Sequence, residues 1–199
     1  MRDQDAPANP SHDLSFAALT PSRWTDFETL FGARGACAGC WCMYWCQRGK
    51  QWTERVPEAN RLAMLERVRR GPPPGLIAYD GDTPIGWCQV GARDTYARIA
   101  HARAKAALDA RPTWAITCFF IAKTHRGRGV MVRLIEAACA FAAEQGAARV
   151  EGFPLSSDKP TAATFAYVGT PSAFRQAGFS LVRKTIAGTA TRRYVRALA

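Results

Sequence analysis

The sequence predicts a single α/β domain, in which strands and helices follow one another along most of the chain. Its 199 residues, 48% of them apolar, suffice for one domain with a substantial core and are few for two. Two patterns support this class: a hairpin signal between two short apolar runs, and a long apolar run followed by an amphipathic helix. No internal repeat interrupts this order. We therefore expect one continuous domain over residues 14–199.

The first thirteen residues are predicted to form a disordered tail, because they are polar and contain Pro7 and Pro10. They lack the apolar core of a signal peptide. No apolar run in the sequence is long enough to cross a bilayer. We therefore expect a cytoplasmic protein that makes no contact with membranes, and we expect its seven cysteines to be reduced thiols.

The chain is strongly basic, with a formal net charge of +11 and an isoelectric point near 9.8. This charge indicates a polyanionic partner, either a nucleic acid or a phosphate-rich cofactor, or else simply a basic, well-solvated surface. The basic residues are spread along the chain and form no arginine-rich tail. A nucleic-acid partner is therefore the less favoured reading.

Helix signals dominate the first part of the chain. Thr20-Pro21 marks a helix start, the apolar spacing continues to Phe31, and Gly32 ends the helix. A second helix is predicted over Pro57–Arg70, because a run of glycine and proline follows it. The residues predicted to form its buried face are Leu62, Leu65 and Val68.

Strand signals follow. Leu76–Tyr79 and Ile85–Val90 flank the turn residues Asp80-Gly81-Asp82, so a hairpin is predicted. The alanine-rich stretch Asp94–Asp109 is predicted to be helical. Trp114–Ala122 is almost continuously apolar, which is typical of a central strand that is buried on both faces.

The remaining part of the chain is predicted to contain a long helix and then shorter elements. Val130–Ala143 carries apolar residues along one side and charged residues opposite, which indicates an amphipathic helix. The other predicted elements are a strand over Arg149–Pro154, a loop over Ser156–Thr170, a short helix over Ser172–Ala177, and strands over Phe179–Ile186 and Arg192–Leu198.

The stretch Arg126–Met131 lies between the predicted central strand and the long helix. Its two glycines let the backbone turn tightly and leave no side chain to block a ligand. The first N–H groups of a helix have no intrahelical acceptor and carry partial positive charge, and two arginines add formal charge. This pattern predicts a phosphate-binding loop, with an ordinary glycine turn as the alternative. Neither a Walker-type lysine nor a three-glycine dinucleotide fingerprint is present.

The same stretch resembles the acetyl-CoA loop of the GNAT superfamily of N-acetyltransferases, which reads Gln/Arg-x-x-Gly-x-Gly/Ala. Arg126 and Gly129 match this pattern, whereas Met131 stands where the family has Gly or Ala. A second family pattern, Tyr-x-x-x-Gly-Phe, has its counterpart in Phe174-x-x-x-Gly178-Phe179, with phenylalanine in place of tyrosine. The resemblance covers about residues 14–198. The segment Gly-Cys-Trp-Cys-Met from residue 39 is similar to that of a GNAT subgroup with an uncharacterised substrate.

This resemblance implies a mixed, mostly antiparallel sheet of six or seven strands, flanked by helices and splayed between its fourth and fifth strands. It implies acetyl-CoA as cosubstrate, with the pantetheine arm in the splay and a backbone N–H of the fourth strand on the thioester carbonyl. The residues expected to bind the cofactor are Phe119, Phe120, Ile121, Arg126, Gly127, Arg128, Gly129, Val130, Met131 and Phe174.

The resemblance also implies a base for the incoming amine and an acid for the departing thiolate. Glu151 is the candidate base, with a solvated or ion-paired carboxylate as the alternative. Because Phe174 cannot donate a proton, Ser172 and Tyr167 are the candidate acids. Water, or departure without an acid, is the other alternative.

A segment rich in cysteine and tryptophan lies between the first two helices. It carries four cysteines between Cys37 and Cys46, which would suit zinc, but the spacing lacks two separated pairs, so we expect buried thiols and no metal. Trp41 and Trp45 are candidates to line the acceptor pocket and to hold a cationic amine. Arg93 and Tyr96, after the third strand, are further candidates for acceptor binding, or else surface residues.

The function that the sequence favours is transfer of an acetyl group from acetyl-CoA to an amine by direct attack. The acceptor is a small molecule or a peptide, and a homodimer is compatible with the pattern. The alternatives are an acyl-CoA-binding or regulatory protein with weakened catalysis, suggested by Met131 and Phe174, and a nucleic-acid-binding module, suggested by charge alone.

Overall fold

The computed structural model describes residues 14–54, 56–157, 166–182 and 191–198. Over these ranges the chain forms a seven-stranded sheet in the order β1-β2-β3-β4-β5-β7-β6. Its neighbouring strands are antiparallel except for β4 and β5, which run parallel. This confirms the predicted mixed, mostly antiparallel sheet. The strands are β1 Leu14–Ala18, β2 Gly75–Asp80, β3 Thr83–Ala92, β4 Thr113–Ile121, β5 Arg149–Gly152, β6 Ser180–Leu181 and β7 Tyr194–Ala197.

Helices cover both faces of this sheet. The fifth and sixth helices pack on one face, where Leu134 and Phe174 join a core cluster with Trp114 and Ile116 of β4. The first and third helices pack on the other face. None of the helices in the described ranges combines the length and the apolar character needed to cross a bilayer. The helices are α1 Trp24–Phe31, α2 Lys50–Thr53, α3 Pro57–Arg70, α4 Ala97–Ala100, α5 Val130–Glu144 and α6 Pro171–Gln176.

The predicted hairpin, the central strand and the long amphipathic helix are confirmed, with bounds that differ by a few residues. Strand β1 was not predicted from the sequence, and it pairs with β2 at the edge of the sheet. The predicted tail over residues 1–13 lies outside the described residues. The same holds for residues 158–165 of the predicted loop and for residues 183–190 between the last two strands.

The predicted buried face of α3 is only partly correct. Val68 is buried, but Leu62 is 50% exposed, and Asn60 and Met64 take its place in the interior. The Asn60 amide nitrogen donates a hydrogen bond to the carbonyl of Gly39 at 2.9 Å. A buried polar side chain is stable where it finds such a partner, and this contact helps to fix the rotation of the helix.

The prediction of a helix over Asp94–Asp109 is wrong. The chain instead forms a 3-10 turn at Arg93–Thr95, the four-residue α4, and a second 3-10 turn at Arg103–Lys105. Alanine favours helix by only a fraction of a kcal/mol per residue. Here the backbone N–H of Arg98 donates instead to the carbonyl of Trp45 at 3.1 Å, which ties the segment to another part of the chain.

Candidate functional site

Strands β4 and β5 diverge in the middle of the sheet. They pair only over Thr113–Ile116 and Arg149–Gly152, and β4 then continues to Ile121 without β5. Opposite β3 the register shifts, so that Thr117 is an extra residue on β4. A bulge of this kind bends and twists its strand. The two strands therefore diverge just beyond the bulge, which confirms the predicted splay.

Two backbone N–H groups of β4 point into the gap that results. The N–H of Ala122 donates to the carbonyl of Ile85 on β3 at 2.9 Å. Successive N–H groups along a strand point to opposite edges, so those of Phe119 and Ile121 point away from β3. Strand β5 ends at Gly152, opposite Ile116, so it offers no pairing partner to the later residues of β4. These are the donors that the sequence analysis expected near a thioester carbonyl.

Phe174 fills the inner end of the gap. Its ring is fully buried and lies against the rings of Phe119, Phe179 and Tyr194, with centroids 5.0 to 6.3 Å apart. A Cβ atom added at Gly152 would come within 2.2 Å of this ring. The ring therefore serves as packing between α6 and β5. A hydroxyl at this position would be buried rather than exposed to a wet cleft.

The loop before α5 is open and rich in unpaired donors. Gly127 and Gly129 have φ angles of 73° and 76°, and a Cβ built on either would meet nothing within 4 Å. In the described structure the backbone N–H groups of residues 127–131 make no hydrogen bond, whereas Val132 and Arg133 donate to the carbonyl of Gly129. Such donors at the start of a 15-residue helix suit an anion. The loop therefore fits a pyrophosphate.

The side chains around this loop explain how Met131 is accommodated. Met131 is half-buried and packs against the core cluster beneath α5, beside the buried Val130. Arg126 folds back so that its Nε donates to the carbonyl of Ile121 at 2.9 Å. Arg128 is exposed. The backbone donors of the loop consequently remain accessible although a large side chain replaces the family's Gly or Ala.

Glu151 lies on β5 directly opposite Ala115, at the start of the gap. Its side chain has no exposed surface, and its two carboxylate oxygens accept hydrogen bonds from Arg93 and Arg193. Arg93 also donates to the carbonyl of Lys105. Glu151 thus has no free oxygen with which to meet an incoming ammonium, and the ion-paired alternative describes its surroundings.

The two candidate acids lie in different environments. Tyr167 is half-buried in a 3-10 turn that packs against β4, and its ring meets the Tyr44 ring edge-on with centroids 5.9 Å apart. Burial, and then the neighbouring Tyr44, raise the pKa of the Tyr167 hydroxyl well above its usual range. The Ser172 hydroxyl lies 3.1 Å from that of Thr170, the residue that caps α6. Tyr167 is therefore next to the gap, whereas Ser172 belongs to a helix start.

The residues expected to bind the acceptor are mostly interior. Trp41 is buried and packs against Phe31 of α1, with ring centroids 5.6 Å apart. Tyr96 is fully buried, and its hydroxyl has no partner in the described structure. Trp45 is 5% exposed and stacks on Phe153, just beyond β5. Trp45 borders a small pocket together with Tyr44 and Arg98. Phe120 lies on the same face, 5.2 Å from Phe31.

The cysteine-rich segment follows an irregular path. Ala36, Ala38, Trp41 and Cys42 all have positive φ angles between 44° and 63°, which is uncommon for residues other than glycine. The expectation of buried thiols holds only in part, because Cys37 is exposed and Cys40 and Cys46 are half-buried. The thiol of Cys42 is buried, 2.9 Å from that of Cys118 on β4. Across the described ranges, no three His, Cys, Asp or Glu side chains are grouped so as to hold a metal ion.

The sequence analysis missed two features of this region. Arg193 is the nearest partner of Glu151, although 42 residues separate the two. A basic pocket beside Trp45 brings together Tyr44, Arg48, Arg98, His101 and Lys105. These residues come from two distant segments with no shared spacing, so no sequence pattern could have indicated that they meet.

Comparison with solved structures identifies similar folds. An acetyltransferase of the GNAT family from Streptococcus agalactiae aligns with a TM-score of 0.57 at 12% identity, covering 94% of this chain and 96% of that chain. The polyamine N-acetyltransferase of Drosophila melanogaster aligns at 0.54 and 12% identity, over 94% and 100%. A putative acetyltransferase from Salmonella typhimurium, solved with its cofactor acetyl-CoA, aligns at 0.54 and 11% identity, over 94% of each chain. At such low identity these likenesses establish the fold.

No curated protein has a significantly similar sequence. The family model of the acetyltransferase (GNAT) family, however, matches residues 38–167, which is well over half of the chain. The matched part contains β4, the open loop, α5 and β5, the elements that border the gap. The family match and these elements together show that the chain belongs to the acetyltransferase (GNAT) family.

Proposed function

We propose that this protein transfers an acetyl group from acetyl-CoA to an amine by direct attack. The observation that supports this most strongly is the open loop at the start of α5, which leads into the gap between β4 and β5. The family match assigns the chain to acetyltransferases. The Salmonella neighbour, which shares the fold, has acetyl-CoA as its cofactor.

The residues present fit the phosphate part of acetyl-CoA. The backbone N–H groups of residues 127–131 supply hydrogen-bond donors, and Arg128 adds a positive charge at the surface. The cosubstrate supplies an activated acetyl thioester. The N–H groups of Phe119 and Ile121 are placed to donate to developing negative charge on an acyl oxygen in the gap.

Tyr167 is the hydroxyl that we propose at the leaving group. A tyrosine hydroxyl is protonated at neutral pH, and the raised pKa of Tyr167 favours that form further, so it can donate a hydrogen bond. Full proton transfer from it to a thiolate would be uphill, because the usual pKa of a thiol is about 8.5. Tyr167 therefore stabilises negative charge by hydrogen bonding. Ser172 is the weaker candidate because it lies in the capping turn of α6.

Glu151 acts in this proposal as a positioning residue. It holds two guanidinium groups, and those groups in turn donate to the carbonyls of Lys105 and Ala106. This network fixes the segment that runs alongside the C-terminal end of β5. A buried carboxylate bonded in this way contributes order rather than proton transfer.

Replacing Glu151 tests that role. Glu151→Gln removes the negative charge between two largely buried arginines, and we expect a loss of about 3 to 5 kcal/mol in the free energy of unfolding. Urea unfolding measures this loss. Glu136→Gln, on the exposed side of α5, is the control and should change little. Unchanged stability combined with a large drop in kcat would show instead that Glu151 is the base.

The phosphate loop is tested by substituting two glycines that have similar positive φ angles, one inside the loop and one outside it. Gly129 and Gly146 both have positive φ, 76° and 80°, and open space around them. Gly129→Ala and Gly146→Ala should each cost about 1 kcal/mol of stability. Only Gly129→Ala adds a methyl group at the anion site, so it alone should weaken CoA binding, by about tenfold. Titration calorimetry measures this. Equal CoA affinity in both variants would place the pyrophosphate elsewhere.

Tyr167→Phe removes the proposed donor to the leaving group while keeping the ring. We expect kcat to fall by about tenfold or more with the Kd for acetyl-CoA unchanged. Ser172→Ala should alter kcat by less than about twofold. Release of free CoA thiol reports the rate. An unchanged kcat in the Tyr167→Phe variant would mean that the thiolate departs without help from this hydroxyl. Tight CoA binding without any turnover would favour the acyl-CoA-binding alternative.

A further inference from the structure

A small basic pocket lies on the face of the sheet opposite α5. Its volume is about 180 Å³, enough for one functional group rather than a whole cofactor. It is formed by the irregular segment after α1 and by the segment around α4. The side chains that line it are chiefly Tyr44, Trp45, Arg48, Arg98, His101 and Lys105.

Arg98 is held in place as a cation. Its Nε donates to the carbonyl of Tyr44 at 2.6 Å, and its guanidinium lies 4.0 Å from the centroid of the Tyr44 ring and 5.6 Å from that of Trp52. No carboxylate pairs with it in the described ranges. Its terminal NH groups make no hydrogen bond there, so a preorganised fork of donors remains for a ligand.

Lys105 adds a second cation at the other side of the pocket. Its ammonium lies 5.7 Å from the Trp45 ring and 5.6 Å from the Phe153 ring, and no described carboxylate pairs with it. Burial, and then the charge of Arg98, lower its pKa. The buried carboxylate of Glu151 does not balance the positive charge of Lys105, because its negative charge is already shared by two arginines.

The pocket lies next to the gap but apart from the phosphate loop. Trp45 and Phe153 share a core cluster with Ala115, whose side chain points to the opposite face of β4 from those of Trp114 and Ile116. The latter two pack with α5, whose N-terminus carries the loop. The pocket therefore adjoins the C-terminal end of β5 on the face of the sheet opposite the one that carries the phosphate loop.

We propose that this pocket binds an anionic oxygen group, a carboxylate or a phosphate, carried by the amine acceptor. The inference rests on the proposed function and narrows its substrate to amines with an acidic group. Three positive side chains converge on a space of this size beside aromatic rings. An oxyanion neutralises their charge and accepts hydrogen bonds from the free N–H groups of Arg98. A purely cationic polyamine would be repelled.

Calorimetry of the full-length protein saturated with CoA tests the inference. The probes are two matched pairs: alanylalanine against its C-terminal amide, and phosphoethanolamine against ethanolamine. We expect the acidic member of at least one pair to bind about tenfold more tightly than the member that lacks the acidic group, because a charged hydrogen-bonded pair is worth that much. The pair that discriminates identifies the anion as carboxylate or phosphate.

Variants locate the effect. Arg48 is exposed, with no hydrogen bond in the described structure, so Arg48→Gln should fold normally. Arg48→Gln and Lys105→Gln should each weaken binding of the acidic probe by about threefold to tenfold and should not weaken binding of the probe that lacks the acidic group. Arg69→Gln, exposed on α3, removes the same charge away from the pocket and should have no effect.

The results of these binding measurements either support or overturn the proposed anion pocket. Equal binding of the two members in both pairs, no binding of either pair, or equal effects of Arg48→Gln and Arg69→Gln would overturn the inference. Selective binding of the acidic probe that Lys105→Gln weakens would support it. If the protein binds the acidic probe but not CoA, the pocket stands and the proposed acetyl transfer fails.

Discussion

The short pairing of the two parallel strands, β4 and β5, is the constraint on which the rest of the site depends. Only four residues of β4 pair with β5, and the bulge at Thr117 coincides with the end of that pairing. The side chain of Thr117 is fixed by donating to Gln89 at 2.9 Å. A longer ladder would satisfy the N–H groups of Phe119 and Ile121 within the sheet. Because the ladder stops, these donors face a gap and are available to a substrate.

The second constraint is a buried excess of positive charge beside that gap. One carboxylate, Glu151, faces two arginines, and the segment bound by those arginines contributes Lys105 to the neighbouring pocket. Burying charge is costly unless it is paired. The geometry gives Glu151 a clear structural purpose, and the unpaired cations nearby point towards an anionic ligand.

Features encoded within a short stretch of sequence were predictable. The open loop before α5 and α5 itself follow from two glycines and an amphipathic run, and the structure places the loop at the helix start with open space around it. The hairpin of β2 and β3 follows from its turn residues in the same way. Met131 departs from the family pattern, but its side chain packs into the core.

Features that depend on distant contacts were not predictable. The stretch Asp94–Asp109 has helical composition, yet the backbone of Arg98 bonds to Trp45 and its side chain bonds to Tyr44, and the helix does not form. Trp41 looked like a pocket wall because aromatic residues suit both cores and binding sites, and here α1 covers it. The pair of Glu151 and Arg93 joins residues 58 apart in the chain, for which a single sequence carries no signal.

Amide hydrogen–deuterium exchange of the full-length protein, with and without saturating CoA, tests the central claim most directly. The N–H groups of residues 127–131 lack acceptors in the described structure, so they should exchange fast in the free protein. Bound CoA should slow exchange in the peptide that carries them and in the one that carries Phe119 and Ile121. Saturation with CoA without any change in either peptide would contradict the account.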